Sequence, residues 1–110
     1  MEKIIEWTKK SIIKMLKEFK SETNKDMAIR KIYFFGSRAK GTPHRWSDID
    51  LVIVSNKFKK LRFRERATKM YDYWNFSYPV DFLCYTPQEF NKLKKKVTIV
   101  REAVKDGIEI

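Results

Sequence analysis

The sequence predicts an α/β domain with a small mixed β-sheet flanked by helices. Three apolar runs rich in β-branched and aromatic residues read as strands: residues 31–35 (KIYFF), 51–54 (LVIV) and 80–85 (VDFLCY). Helical periodicity flanks and separates them. Only about a dozen residues lie between the first two runs, too few for a parallel crossover, whereas the connection to the third is long enough for one. The first pair is therefore expected antiparallel and the second parallel.

Residues 3–20 carry Ile5, Ile12, Leu16 and Phe19 on one face, with Lys3, Lys9, Lys10, Lys14 and Lys17 largely opposite, the pattern of an amphipathic helix. Residues 21–26 read as a polar loop, and the first strand is expected over 28–35. A short helical turn near residues 37–40 leads into a loop holding Pro43, His44 and Trp46. The spacing of Phe63, Ala67, Met70, Tyr71 and Trp74 predicts a second long helix over 59–74, with Arg62, Arg64, Arg66 and Lys69 on its solvated side. Tyr78-Pro79 opens the third strand. Thr86, Pro87 and Glu89 spell a helix start: N-cap, first-turn proline, and the acidic residue three places after the cap. Phe90 and Leu93 are expected inward. The pattern weakens at Val97-Thr98, resumes with Ile99, Val100, Ala103 and Val104, and ends at Gly107. Residues 108–110 either pair as a short edge strand or dock on the core.

The stretch between the first two strands, GSRAKGTPHRWSDIDL (residues 36–51), carries the chemistry. A glycine directly after an apolar strand permits a tight turn and a close backbone approach, and Ser37 adds a hydroxyl and an amide that can face a phosphate. Asp48 and Asp50 are two apart on a strand, so both carboxylates leave the same face, about 7 Å apart at the backbone. Like charges that close, beside an apolar strand, call for a divalent cation between them. Gly-Ser after a strand is also a common loop start and Ser-Asp a common turn signal. What favours a phosphate-and-metal site is the conjunction of both segments across ten residues that include Arg38, Lys40 and Arg45. Asp81 sits near the start of the third strand. A parallel third strand gathers all three carboxylates at one end of the sheet, and no basic residue on that strand offers Asp81 a partner. His44 has no metal-ligand spacing around it; Trp46 could stack on a base or anchor its loop.

Gly36-Ser37, the spacer with Gly41, and Ser47-Asp48-Ile49-Asp50-Leu51 together resemble the signature of the nucleotidyltransferase superfamily that includes DNA polymerase β. The wording GSRAKG is most similar to its minimal nucleotidyltransferase (MNT) branch. The resemblance implies the polymerase β-like nucleotidyltransferase fold over residues 1–110 and transfer of AMP from ATP to a hydroxyl. Asp48, Asp50 and Asp81 would be the catalytic carboxylates and hold two Mg²⁺ ions. Gly36, Ser37, Arg38, Lys40 and Ser47 would bind the nucleotide. Lys40 stands where many members carry arginine, which keeps the charge but not bidentate geometry. The branch also implies a partner: a small all-helical HEPN protein, paired with such domains as toxin and antitoxin, with a tyrosine hydroxyl as acceptor and a hetero-oligomer as the assembly.

Composition sets the remaining bounds. One domain of 110 residues leaves no second lobe for an acceptor, so a partner is expected to present it. The formal net charge of +11 favours anionic partners, nucleic acid among them, but lysines are spread along the chain with a local run only at residues 94–96. A single cysteine, Cys84, excludes an intramolecular disulfide and suits a reducing cytoplasm; within an apolar strand it reads as a small buried hydrophobe. No apolar run approaches membrane-spanning length, and a soluble cytoplasmic protein is expected. Two other functions stay open: a non-catalytic antitoxin or binding module of the same fold, and a nucleic-acid 3′-end nucleotidyltransferase.

Overall fold

The computed structural model describes residues 8–41 and 47–110. Helix α1 (Lys9–Met27) begins at Thr8, whose hydroxyl accepts from Ser11 N at 3.1 Å. Ile12, Met15, Leu16 and Phe19 are buried, as the periodicity predicts. The expected loop at 21–26 is instead helical. Thr23 and Met27 continue the buried stripe at i+4 and i+8 from Phe19, so packing overrides the polar composition. Residues 3–7, with Lys3 and Ile5, lie outside the described residues. Ala28, in the left-handed region at φ 44°, ends the helix, and β1 (Ile29–Phe35) starts one residue later than expected.

Strand β1 leads through the short helix α2 (Gly36–Lys40) to β2 (Ile49–Ser55), and the two strands pair antiparallel. Strand β3 (Val80–Tyr85) pairs parallel with β2. Both directions are those the connection lengths require. Ile108–Glu109 forms β4 and pairs antiparallel with β1, while Ile108 and Ile110 also pack against the core, so both expectations for the C-terminal residues hold. The sheet order is β3-β2-β1-β4.

The connection from β2 to β3 departs from the expected single helix over 59–74. It divides into a 3₁₀ turn (Asn56–Lys60) and helix α3 (Phe63–Tyr71), because Leu61 and Arg62 take extended backbone, ψ 142° and 154°. Helix α3 buries Met70 and packs Ala67 on the core as expected, but its first turn departs from the expected face. Phe63 is 52% exposed, whereas Arg66, expected in solvent, is only 7% exposed. Arg66 is drawn in by acceptors: Glu89 Oε1 at 2.6 Å and the carbonyls of Leu61 and Cys84 at 3.1 and 3.3 Å.

Helix α4 (Pro87–Leu93) carries the predicted capping box, with Thr86 and Glu89 exchanging hydrogen bonds. Phe90 is buried and Leu93 half-buried. Helix α5 (Ile99–Asp106) is capped by Thr98. Its inward stripe is Val100 and Ala103; Ile99 and Val104, expected on that stripe, are exposed.

The central strand β2 is buried on both faces, which is why it reads as a continuous apolar run. Ile32, Phe34, Leu51, Ile53, Phe82 and Cys84 face α1 and α3; Tyr33, Val52 and Val54 face α4 and α5. Asp50 shares the second face by strand alternation. Each fully buried large apolar side chain contributes about 1.5–3 kcal/mol relative to exposure, which makes this two-sided core the platform of the site. Among the described residues no helix is long and apolar enough to cross a membrane.

Candidate active site

The site forms where β1 ends and β2 and β3 begin. The registers place Phe35 opposite Asp50 and Asp50 opposite Asp81, so the chain reversal after Phe35 and two carboxylates lie in one row across three strands. Asp48 immediately precedes β2 and is exposed, as is Asp81; Asp50 is half-buried. The sequence thus located three carboxylates at one end of the sheet, and the pairing brings them there.

Gly36 turns the chain at φ +81°, a conformation that L side chains rarely adopt. A Cβ there would collide with Asp50 Oδ2 and stand 3.2 Å from Asp50 Cγ. The glycine is therefore required twice, by its backbone and by the carboxylate packed against it. Ser37 is half-buried in the first turn of α2, and Lys40 is exposed at its last residue. A cavity of about 120 Å³ lies beside the turn, lined by Phe35, Gly36, Lys40, Ile99, Glu102 and Asp106.

Burial pushes the Asp50 carboxyl up to about 6, and the charges of Asp81 and then Asp48 push in the same direction. Among the described residues none of these three carboxylates has an ion pair. Such a set of hard oxygen donors, with mutual repulsion and no internal counter-charge, fits a divalent cation such as Mg²⁺. Among the described residues, however, no three acidic, histidine or cysteine side chains converge into a formed metal cage. The exposed Asp48 and Asp81 would have to turn toward Asp50 to complete one.

Arg38 does something the sequence did not indicate. Its Nε donates to Ser47 O at 3.2 Å and its guanidinium lies 5.0 Å from the Tyr78 ring centroid. It thereby joins α2 to the residues just ahead of β2 and β3. Two aromatic side chains complete this frame. Tyr71 Oη donates to Val80 O at 2.7 Å, and Trp74 Nε1 donates to Tyr78 O at 2.8 Å. Ile49 N donates to Pro79 O at 2.9 Å. The backbone leading into Asp81 is thus held from both α3 and β2. Helical spacing marked Tyr71 and Trp74 as core residues; the polar tip that both carry was the available signal for this second role. Burial first, and then Asp81 and Asp48, raise the Tyr71 phenol above its usual range, which places the ring within the field of the carboxylates.

Cys84 is buried, and burial pushes its thiol up to about 12, so it is inert packing as its strand context suggested. Pro43, His44, Arg45 and Trp46 lie outside the described residues, and with them any stacking role for Trp46.

A mixed sheet with a Gly-Ser turn facing strand-borne carboxylates defines a nucleotidyl-transfer type of α/β domain. Residues 12–108 match the nucleotidyltransferase domain family, and the chain belongs to that family. It is 29% identical over 80 residues to the "Probable protein adenylyltransferase MntA" of Haemophilus influenzae, an alignment covering 71% of this chain and 70% of that protein. A crystal structure of a candidate nucleotidyltransferase from Sulfolobus solfataricus superposes with a TM-score of 0.64 at 24% identity, covering 92% of this chain and 80% of that one. A toxin-antitoxin crystal structure with AMP-PNP is 25% identical, with a TM-score of 0.49, covering 94% of this chain and 72% of that chain.

Proposed function

We propose that this chain is a single domain, residues 1–110, that transfers AMP from ATP to a tyrosine hydroxyl of a small all-helical HEPN-type toxin in the cytoplasm, acting as its antitoxin in a hetero-oligomer. The observation that carries the reading is the row Phe35, Asp50, Asp81 across three strands, with Gly36 packed against Asp50 and Asp48 two residues upstream. The adenylyltransferase name of the Haemophilus influenzae relative supports the choice of AMP and of a protein acceptor.

In this reading Asp48, Asp50 and Asp81 would hold two Mg²⁺ ions. The bound ions would neutralise phosphate charge and lower the acceptor's pKa. Asp81, at the edge of the row, helps receive the proton as the tyrosine oxygen bonds to the α-phosphorus and the bond to pyrophosphate breaks. A tyrosine suits this site because its pKa, near 10, is well below that of an alcohol. The Gly36 backbone and the Ser37 hydroxyl would hold the β- and γ-phosphates. Lys40 balances charge on the departing pyrophosphate. Arg38 is committed at Nε to the Ser47 carbonyl, so only its terminal nitrogens remain for phosphate. Ser47 would serve the nucleotide side by holding Arg38.

The test is to incubate the chain with ATP, Mg²⁺ and its co-purified partner and to weigh the intact partner. The expected result is a gain of one or more AMP units, absent with Asp48→Asn or Asp50→Asn. An unchanged partner mass with labelled RNA 3′ ends would replace this reading by a nucleic-acid 3′-end transferase. Toxin neutralisation that survives both substitutions would make the chain a binding module.

A further inference from the structure

One strongly charged surface is not used by the carboxylate site. After β2 the sequence reads KFKKLRFR over residues 57–64, five cations and no carboxylate in eight residues. Phe58 is fully buried and Leu61 half-buried, which pins the segment to the core. Lys57, Lys59, Lys60, Arg62 and Arg64 are all exposed. Arg62 makes one loose exposed contact with Glu65 at 3.9 Å, worth little. The other four make no ion pair among the described residues.

Among these cations stands Phe63, 52% exposed at the start of α3. Its ring is supported by Tyr85 at 5.6 Å between centroids and by the Arg66 guanidinium at 5.9 Å. Half in water at a helix start, Phe63 offers a flat apolar face to a partner. The cations flanking it ask for a partner with regularly spaced negative charge. We propose that this surface binds single-stranded nucleic acid, with backbone phosphates on the five cations and a base stacked on Phe63. An anionic membrane would call for a broader apolar face than one ring, and carboxylates of an acidic protein would gain nothing from the ring.

The location separates this surface from the transfer site. The segment follows Ser55 at the far end of β2, five residues or about 17 Å from Asp50. A strand held there need not present its end to the carboxylates, so this binding is independent of the proposed transfer reaction.

Fluorescence anisotropy with a 5′-labelled 12-nucleotide oligo(U) and the full chain, from 50 to 200 mM KCl, tests the inference. Binding should weaken with salt by a log–log slope of about −0.7 for each phosphate contact. Phe63→Ala should weaken binding about tenfold without changing that slope, as loss of one stacked base does. Lys59→Ser with Arg64→Ser should make the slope shallower by about 1.4. Asp50→Asn should leave binding unchanged. Phe63 and the cations are exposed, and matching circular dichroism melts for the variants would confirm intact folds. Absence of binding, an unaltered affinity for Phe63→Ala, equal affinity for a blunt duplex of the same oligo(U) with oligo(A), or an equal loss on replacing Lys94, Lys95 and Lys96 with serine would each overturn it. So would preferential binding to phosphatidylserine vesicles.

Discussion

Gly36 and Asp50 occupy one another's space: the carboxylate of Asp50 lies where a side chain on residue 36 would begin. The turn that ends β1 and the carboxylate near the start of β2 are therefore one unit, although thirteen residues lie between them. Gly36→Ala should destabilise the fold by about 1–2 kcal/mol from the left-handed backbone alone, and Gly36→Val by more. Asp50→Ala should recover part of the loss from Gly36→Ala, because it removes the atom that the new Cβ meets. A double-mutant cycle by urea unfolding should return a coupling of about 1 kcal/mol. Strict additivity would mean that the two residues do not touch.

The same burial that packs Asp50 against Gly36 sets a pH dependence. The folded carboxyl is raised from 3.8 to about 6, so the metal-free fold binds this proton more tightly than the unfolded chain does. Its stabilising effect is complete below about pH 3.8 and is lost as pH rises through about 6. At pH 7.5 without metal, Asp50→Asn should therefore be more stable than the wild type in chemical denaturation. A divalent ion needs the ionised form, so binding expels that proton. Mg²⁺ affinity by calorimetry should fall by up to tenfold per pH unit below about 6 and level off above it. A flat profile from pH 5 to 8 would remove Asp50 from the metal site.

Fold class, strand directions and the gathering of carboxylates were legible because each depends on local pattern or connection length. Apolar runs mark β2 and β3, and a short loop forces β1 and β2 antiparallel. The errors fall where tertiary contacts choose between local options. Residues 21–26 have a loop-like composition, yet Thr23 and Met27 give the helix a buried stripe to follow. Arg66 and Phe63 exchanged their expected environments because Glu89, 23 residues away from Arg66, supplies an acceptor that no helical periodicity can announce. Arg38 looked like a phosphate ligand from its motif position. Its contacts to Ser47 and Tyr78 depend on how three strand ends meet.

Arg66 and Glu89 tie α3 to the start of α4. Burial alone would raise the Glu89 carboxyl, but hydrogen bonds from Arg66 and from the Thr86 backbone outweigh it and hold the group below its usual range. Its stabilising effect is present above the ordinary carboxylate pKa of 4.5 and is lost as pH falls below that. Arg66→Ala should cost about 3 kcal/mol, since it leaves a carboxylate and two backbone carbonyls short of donors. Glu89→Gln should cost less, because the amide oxygen still caps Thr86 N. Thermal melts at pH 7 should rank the variants in that order, and the gap between wild type and Glu89→Gln should narrow at pH 4.

The Arg38 clamp yields the last expectation, and it separates positioning from direct phosphate binding. Arg38 reaches Ser47 through Nε and the Tyr78 ring through its guanidinium, so one side chain holds both partners at once. Lysine keeps the charge and can reach either partner, but its single ammonium cannot hold both in this geometry. If Arg38 acts by aligning the backbone ahead of Asp48 and Asp81, Arg38→Lys should be nearly as impaired as Arg38→Ala, with kcat reduced about tenfold or more and ATP affinity changed little. Tyr78→Leu should reproduce that profile, because it removes the other half of the contact while leaving every charge in place. Lys40→Ala, in contrast, should act chiefly on nucleotide affinity. Initial rates over a range of ATP concentrations, with direct nucleotide binding measured alongside, distinguish the two patterns. Full rescue of rate by Arg38→Lys would show that charge alone matters at residue 38 and would return it to the phosphate side of the site.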